Sequence, residues 1–266
     1  MHTREEKMEA LGRLLDVLDR LRVECPWDRK QTNESLRPNT IEETYELCDA
    51  LIRDDQQDIC KELGDVLLHV CFYGKIGEEE EQFDIADVCN RLCDKLIFRH
   101  PHVYGEAVAK DAQQVVESWE QIKLKEKGGN KSVLSGVPAA LPSLIKAYRI
   151  QDKARNVGFD WEDRQDVWQK VDEELTELKA ELAKGDRQRS EEELGDFLFS
   201  VVNAARLYKL NPDNALEHTN RKFIRRFDYI EQHSIKQGKP LTDMTLAEMD
   251  SLWNEAKEIE KNGMID

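Results

Sequence analysis

Apolar residues recur three and four positions apart along most of the chain, as in Met8, Leu11, Leu15, Leu18 and Leu21, and again in Leu63, Val66, Leu67 and Val70. This spacing places them on one face of a helix. The first set predicts a helix that stops at Cys25-Pro26. A second helix is expected from about Ile41 to Ile52. A third is expected to start near Gln56 and to end at Gly77 and the acidic run Glu78–Glu81. Sustained alternation of apolar and polar residues is missing, so the predicted fold class is all-α with little or no sheet.

The pattern repeats. IEETYELCDAL followed by KELGDVLLHV in the first half becomes VDEELTELKAEL followed by EELGDFLFSV in the second. Glu43, Glu46, Glu62 and Asp65 correspond to Glu174, Glu177, Glu193 and Asp196, each pair 131 positions apart. Further on, Lys95-x-x-x-Arg99 parallels Lys222-x-x-x-Arg226, and Trp119-Glu-Gln-Ile-Lys parallels Trp253-Asn-Glu-Ala-Lys. Self-similarity at a fixed offset signals a duplicated unit. Two tandem helical domains are therefore expected, at 1–126 and 143–266. The stretch 127–142 is read as a linker, with KGGNKS at its start and Pro138 and Pro142 near its end.

Each half carries Glu-Glu-x-x-Glu on one expected helix and Glu-x-x-Asp on the next. Residues three apart share a helical face, so two antiparallel helices converge four carboxylates. Such crowding drives protonation unless a cation compensates. The acids also sit beside apolar neighbours: Glu62 precedes Leu63, Asp65 precedes Val66, Glu193 precedes Leu194 and Asp196 precedes Phe197. Charge placed there calls for a partner. Hard Mg²⁺ or Mn²⁺ suits an all-oxygen site and shares its coordination with substrate phosphates. A ferritin-like di-iron bundle would use Glu-x-x-His, and no His here follows a Glu at that spacing. A single acidic helix face is by itself an ordinary solvated surface; the second pair and the duplication set this one apart.

Composition narrows the partners. The 266-residue chain has a net charge of −16, which disfavours binding to nucleic acid through phosphate neutralisation. The start lacks the apolar core of a signal peptide, and the longest apolar stretch, near Val66–Tyr73, is too short to span a membrane. A cytoplasmic protein with no membrane partner is expected. Cys25, Cys48, Cys60, Cys71, Cys89 and Cys93 form no C-x-x-C pair and are read as buried free thiols. Against the acidic background, Arg221, Lys222, Arg225 and Arg226 form a local basic cluster fit to clamp phosphates. Pairing with surface acids is the expected fate of Arg221 and Arg225. Trp253 suits stacking on a base and a place in the core equally. His100-Pro-His102 is read as a structural turn. Lys131-Ser132 lacks the order of a phosphate loop.

Taken with CPWDRKQT (Cys25–Thr32), RHPHVYG (Arg99–Gly105), WEQIK (Trp119–Lys123), NVGFDW (Asn156–Trp161) and KFIRRF, the duplicated carboxylates resemble the MazG-type nucleoside triphosphate pyrophosphohydrolases. The resemblance spans nearly the whole chain. It implies an all-α fold of two tandem four-helix-type domains, related to the all-α dUTPases, and assembly as a homodimer. It also implies Mg²⁺-dependent hydrolysis of NTPs and dNTPs to a monophosphate and pyrophosphate. By motif, Glu174, Glu177, Glu193 and Asp196 would hold Mg²⁺, with Lys170, Glu173, Lys222, Arg226 and Trp253 lining the nucleotide. The first-domain counterparts would be Glu43, Glu46, Glu62 and Asp65, with Lys95, Arg99 and Trp119. Glu173 is the candidate for orienting the attacking water, and Lys222 and Arg226 for taking charge on the leaving pyrophosphate. The second domain, with the denser basic cluster, is expected to be the principal site. A non-catalytic protein that senses Mg-nucleotides or binds a partner is the alternative.

Overall fold

The computed structural model describes residues 1–108, 115, 122, 132–161 and 163–261. The chain divides into two compact units, Met1–Lys110 and Asp111–Asp266. The expected domain limit at 126 and the start of the linker lie outside the described residues. All regular structure among the described residues is helical.

The first unit holds α1 (Arg4–Glu24), α2 (Asn33–Arg53), α3 (Gln56–Glu79), α4 (Ile85–Arg99) and the single turn α5 (Pro101–Tyr104). Thr3 and Glu6 form a capping box at the start of α1, and the helix ends before Cys25-Pro26 as its pattern predicts. α2 begins eight residues earlier than expected, at Asn33. Thr32 and Ser35 cap it reciprocally, and Pro38 sits inside it. Proline forfeits one helical hydrogen bond, but the cap upstream and the long helix downstream carry the turn across it. The core gathers Leu18, Leu36, Cys71, Phe72 and Ile76, flanked by Leu14, Leu15, Leu68, Tyr73 and Ile85. Arg22, buried, ties α1 to α3: it donates to both carboxylate oxygens of Glu79, at 3.0 and 2.5 Å, and to the carbonyls of Asp28 and Gln31. Met8, Leu11 and Leu21, on the same stripe of α1, stay exposed.

The second unit holds α6 (Ser143–Arg155), α7 (Asp166–Lys184), α8 (Arg187–Leu207), α9 (Pro212–Gln237) and α10 (Leu246–Lys261). A 3-10 turn at Leu134–Gly136 packs on α6. Its core joins Val167, Val171 and Ala204 with Phe197, Leu207 and Tyr208. Here Arg206 plays the buried anchor, bonding Asp160 through two nitrogens and Asn203 through two more contacts.

The closest packing in each unit is a helical hairpin, α2 on α3 and α7 on α8. The turns share one design. A left-handed residue ends the first helix, Asp54 at φ 55° or Gly185 at φ 76°. The next residue, Asp55 or Asp186, caps the second helix by accepting backbone N–H bonds. Two carboxylate-bearing helices are thus forced antiparallel. The left-handed turn strains any residue with a Cβ, so Gly185→Ala is expected to cost about 1 kcal/mol, read as a lowered urea midpoint with an unchanged m-value.

Candidate metal and nucleotide site

In each hairpin three of the four expected acids converge. Oxygens of Glu43, Glu62 and Asp65 lie within 4.8 Å of one another in the first unit, and those of Glu174, Glu177 and Glu193 do so in the second. Glu46 and Asp196 stand outside these triads but act on them. Burial, and then Asp65, Glu46 and Glu62, push the Glu43 carboxyl above its ordinary range. Glu177, Asp196 and Glu174 do the same to Glu193, again after desolvation. Mutual repulsion of this kind persists only if something else holds the groups together.

Glu62 and Glu174 are the buried members, 3% and 6% exposed. Lys61 bonds one oxygen of Glu62 at 2.6 Å and leaves the other, Oε2, buried with no partner among the described residues. An orphaned buried carboxylate oxygen beside two further carboxylates fits a hard divalent cation. In the second unit, Lys170 from the preceding turn of α7 contacts Glu174 at 2.5 Å and Glu173 at 3.2 Å. The repeat does not extend to these lysines: Asn39 stands at the position of Lys170, and Glu192 at that of Lys61.

One acid escaped the sequence reading. Glu181, one turn beyond Glu177 on α7, is 9% exposed, leaves its Oε2 unpartnered among the described residues, and adds to the repulsion on Glu193. Its spacing from Glu174 is the available signal, but its counterpart is Ala50, so comparing the halves hides it.

The basic cluster lies on α9 and faces α10. Arg226 meets Glu260 at 2.6 Å and sits over the Trp253 ring, 5.4 Å from its centroid. Trp253 also packs against Phe223 at 5.0 Å. Arg225 shares Glu260 at 2.9 Å, and Arg221 pairs with Glu217 at 3.0 Å, as expected of both. Lys222, half-buried, makes no ion pair among the described residues. The structure therefore joins Arg226 to Trp253 and gives Arg226 a carboxylate partner of its own. In the first unit Lys95 is exposed and Arg99 half-buried, while Trp119 lies outside the described residues.

Two side readings resolve. His100 caps α5 and His102 lies within it, and His100 Nδ1 meets the Leu96 carbonyl at 2.6 Å, in keeping with a turn. The six cysteines are free, but Cys48, Cys60, Cys89 and Cys93 are exposed, which corrects the expectation of burial. The helices that carry them leave part of their apolar faces uncovered.

A carboxyl whose pKa is raised by folding opposes folding once ionised, so its penalty grows as pH rises through the carboxylate range. Glu193→Gln is accordingly expected to raise the melting temperature at neutral pH in a chelator. That gain should fade on acidification, and added Mg²⁺ should stabilise the unsubstituted protein more than the variant, as read by thermal denaturation.

Comparison with known proteins meets this geometry. The MazG nucleotide pyrophosphohydrolase domain matches twice, at residues 31–104 and 163–230, so each match contains one carboxylate hairpin. The chain is 41% identical to the nucleoside triphosphate pyrophosphohydrolase of Escherichia coli (strain K12), over 94% of this chain and 98% of that protein. It is 44% identical to the nucleoside triphosphate pyrophosphohydrolase/pyrophosphatase MazG of Thermotoga maritima, over 92% and 94%. It is 37% identical to the nucleoside triphosphate pyrophosphohydrolase of Mycobacterium tuberculosis, over 58% of this chain and 47% of that one. With four acids recurring at one offset inside two matched domains, the chain belongs to the MazG nucleotide pyrophosphohydrolase family.

Proposed function

We propose that the protein hydrolyses nucleoside triphosphates, ribo and deoxy, to the monophosphate and pyrophosphate, using Mg²⁺. The observation that carries this reading is the pair of carboxylate triads, each with oxygens within 4.8 Å, inside family-matched domains. Glu174, Glu177, Glu193 and Asp196 hold the metal in the second domain, and Glu43, Glu46, Glu62 and Asp65 in the first. When bound, Mg²⁺ (or Mn²⁺ in its place) supplies positive charge against the triphosphate and acidifies water.

The remaining roles belong to side chains. Glu173, exposed and paired with Lys170 at 3.2 Å, would orient the water that attacks phosphorus in line and take its proton. Lys170, Lys222, Arg226 and Trp253 line the nucleotide. Lys222 and Arg226 stabilise the charge that builds on departing pyrophosphate. Glu260 and Trp253 preset the Arg226 guanidinium. Lys95, Arg99 and Trp119 are the first-domain equivalents. The second domain, 143–266, is the principal site; 1–126 is the first domain and 127–142 the connection. A cytoplasmic setting, where free nucleotides are found, belongs to the same reading.

Assembly as a homodimer is also part of it. Leu63, Leu67 and Val70 on α3 are 52%, 37% and 41% exposed, and Leu194, Leu198 and Val201 on α8 are 44%, 53% and 38% exposed. These stripes recur at the offset of the acids. Uncovered apolar stripes of this kind favour association.

Incubation with Mg²⁺ and a panel of NTPs and dNTPs, with products separated by ion exchange, tests the reading. Monophosphate plus pyrophosphate is expected, with a loss of about 100-fold or more in Glu174→Ala and a smaller loss in Glu43→Ala. Diphosphate plus phosphate, or no turnover by folded protein, would contradict it, and the reverse ranking of the two variants would move the principal site to the first domain. Glu173→Gln is expected to lower kcat by roughly 10²–10⁴-fold with nucleotide affinity nearly unchanged; wild-type kcat would remove Glu173 from the chemistry.

A further inference from the structure

In the second unit the basic cluster already holds an anion, a carboxylate of the chain itself. Glu260, in the last turn of α10, lies between two guanidinium groups of α9. Its Oε1 accepts from Arg225 Nη2 at 2.9 Å, and its Oε2 accepts from Arg226 Nε at 2.9 Å and Nη2 at 2.6 Å. The Arg226 and Glu260 side chains are 15% and 14% exposed. Burial works to raise the Glu260 carboxyl, but Arg226 and Arg225 together hold it below its ordinary range, so it is charged at neutral pH.

The fit is incomplete. A guanidinium is a fork that suits two oxygens side by side. Here the Arg226 fork closes on a single oxygen. Arg225 gives Nη2 to the other, while its Nε is buried with no partner among the described residues. A buried donor left unpaired is costly. Two carboxylate oxygens are too few for this pair of forks; a terminal phosphate offers three, with more charge. Lys222, one turn before Arg226 on α9, adds a third cation.

The place of Glu260 in the fold makes it removable. α10 is anchored on α9 upstream of it. Ala256 is fully buried, Trp253 packs on Phe223 at 5.0 Å between ring centroids, and the Tyr229 hydroxyl donates to Glu255 at 2.8 Å. Glu260 stands one residue before the helix ends at Lys261. The last turn of a helix opens at little cost, and a carboxylate there opposes the helix dipole. That turn can let go while Ala256 and Trp253 stay seated.

We propose that Glu260 is an exchangeable internal ligand of the phosphate clamp: it holds Arg225 and Arg226 until a polyphosphate displaces it, and it reclaims them as pyrophosphate leaves. The proposal rests on the function proposed above and adds regulation of that same site. Presetting of Arg226 by Glu260 then lasts only until phosphate arrives. The consequence is a threshold, because apparent affinity falls with the fraction of clamps that stand open. In sequence the first unit carries Glu126 seven residues beyond Trp119, as Glu260 is beyond Trp253, and Arg99 in the place of Arg226, but Phe98 in the place of Arg225. The paired fork therefore belongs to the second unit.

Calorimetric titration in Mg²⁺ with inorganic tripolyphosphate and with pyrophosphate tests this without a nucleotide. Glu260→Gln, which keeps the size and removes the charge, is expected to bind both probes about tenfold more tightly than the wild type. Pyrophosphate should also inhibit the variant more strongly. A carboxylate that merely supports Arg226 predicts the opposite sign, so weaker or unchanged binding by the folded variant would overturn the assignment. Hydrogen exchange of the wild type serves where the variant does not fold. Amides of Lys257–Lys261 should exchange faster in saturating tripolyphosphate, with no such change in the preceding turns; unchanged or slower exchange there would overturn it equally. Failure of the underlying reading shows separately, as a wild type that binds neither probe and releases no pyrophosphate, or as Arg226→Ala with wild-type tripolyphosphate affinity, and takes this proposal with it.

Discussion

Repulsion among carboxylates is the constraint around which each unit is arranged. Burial first, and then acids on their own helix and on its hairpin partner, push Glu43 and Glu193 towards protonation. Nothing in the pairing of α2 with α3, or α7 with α8, would favour that crowding for its own sake. Hairpin turns impose it: Asp54-Asp55 and Gly185-Asp186 end one helix and cap the next within two residues. The buried anchors Arg22 and Arg206 then fix the flanking helix or loop against the second hairpin helix. Stability is spent on holding like charges together, and under the proposed function a divalent cation would recover part of it. Negative charge in excess of what the lysines neutralise suits such a site to a cation that could in turn draw phosphates in.

Duplication makes the two units comparable within one chain. Both keep the acids, but their surroundings have diverged. Lys61 covers Glu62 from the same helix, whereas Lys170 covers Glu174 from one turn earlier on α7. Glu181 adds an acid where the first unit has Ala50. Phe72 is buried in the first core at the position where the second unit has Asn203 on a cavity wall. Each unit has an opening of similar size, about 550 Å³ with mainly apolar walls beside α6 and α8 in the second, and about 530 Å³ beside Glu42, Glu46, Asp49 and Glu62 in the first.

Much of this was legible in the chain itself. Helix class, the hairpins and the two triads of converging acids follow from spacing and from the repeat, whereas Glu46 and Asp196, expected in the same cages, stand outside the triads. The early start of α2 did not, because Pro38 reads as a stop while the cap that overrides it, Thr32 with Ser35, lies upstream of the apolar pattern. Exposure of four cysteines was hidden for a related reason: an apolar face predicts what a helix can bury, not what arrives to cover it. Glu181 lies outside the duplicated motif. Glu260 lies among other acids of α10 and is set apart only once α10 has packed against α9.

The central claim is that the two hairpins are cation sites. Titration of the metal-free protein with Mn²⁺, followed by the electron paramagnetic resonance signal of the free ion, measures this most directly. Saturable binding that Mg²⁺ displaces is expected, with one class of site lost when Glu174 and Glu177 are replaced by Ala and another lost when Glu43 and Glu62 are. Absence of saturable binding, or binding that survives all four replacements, would contradict it.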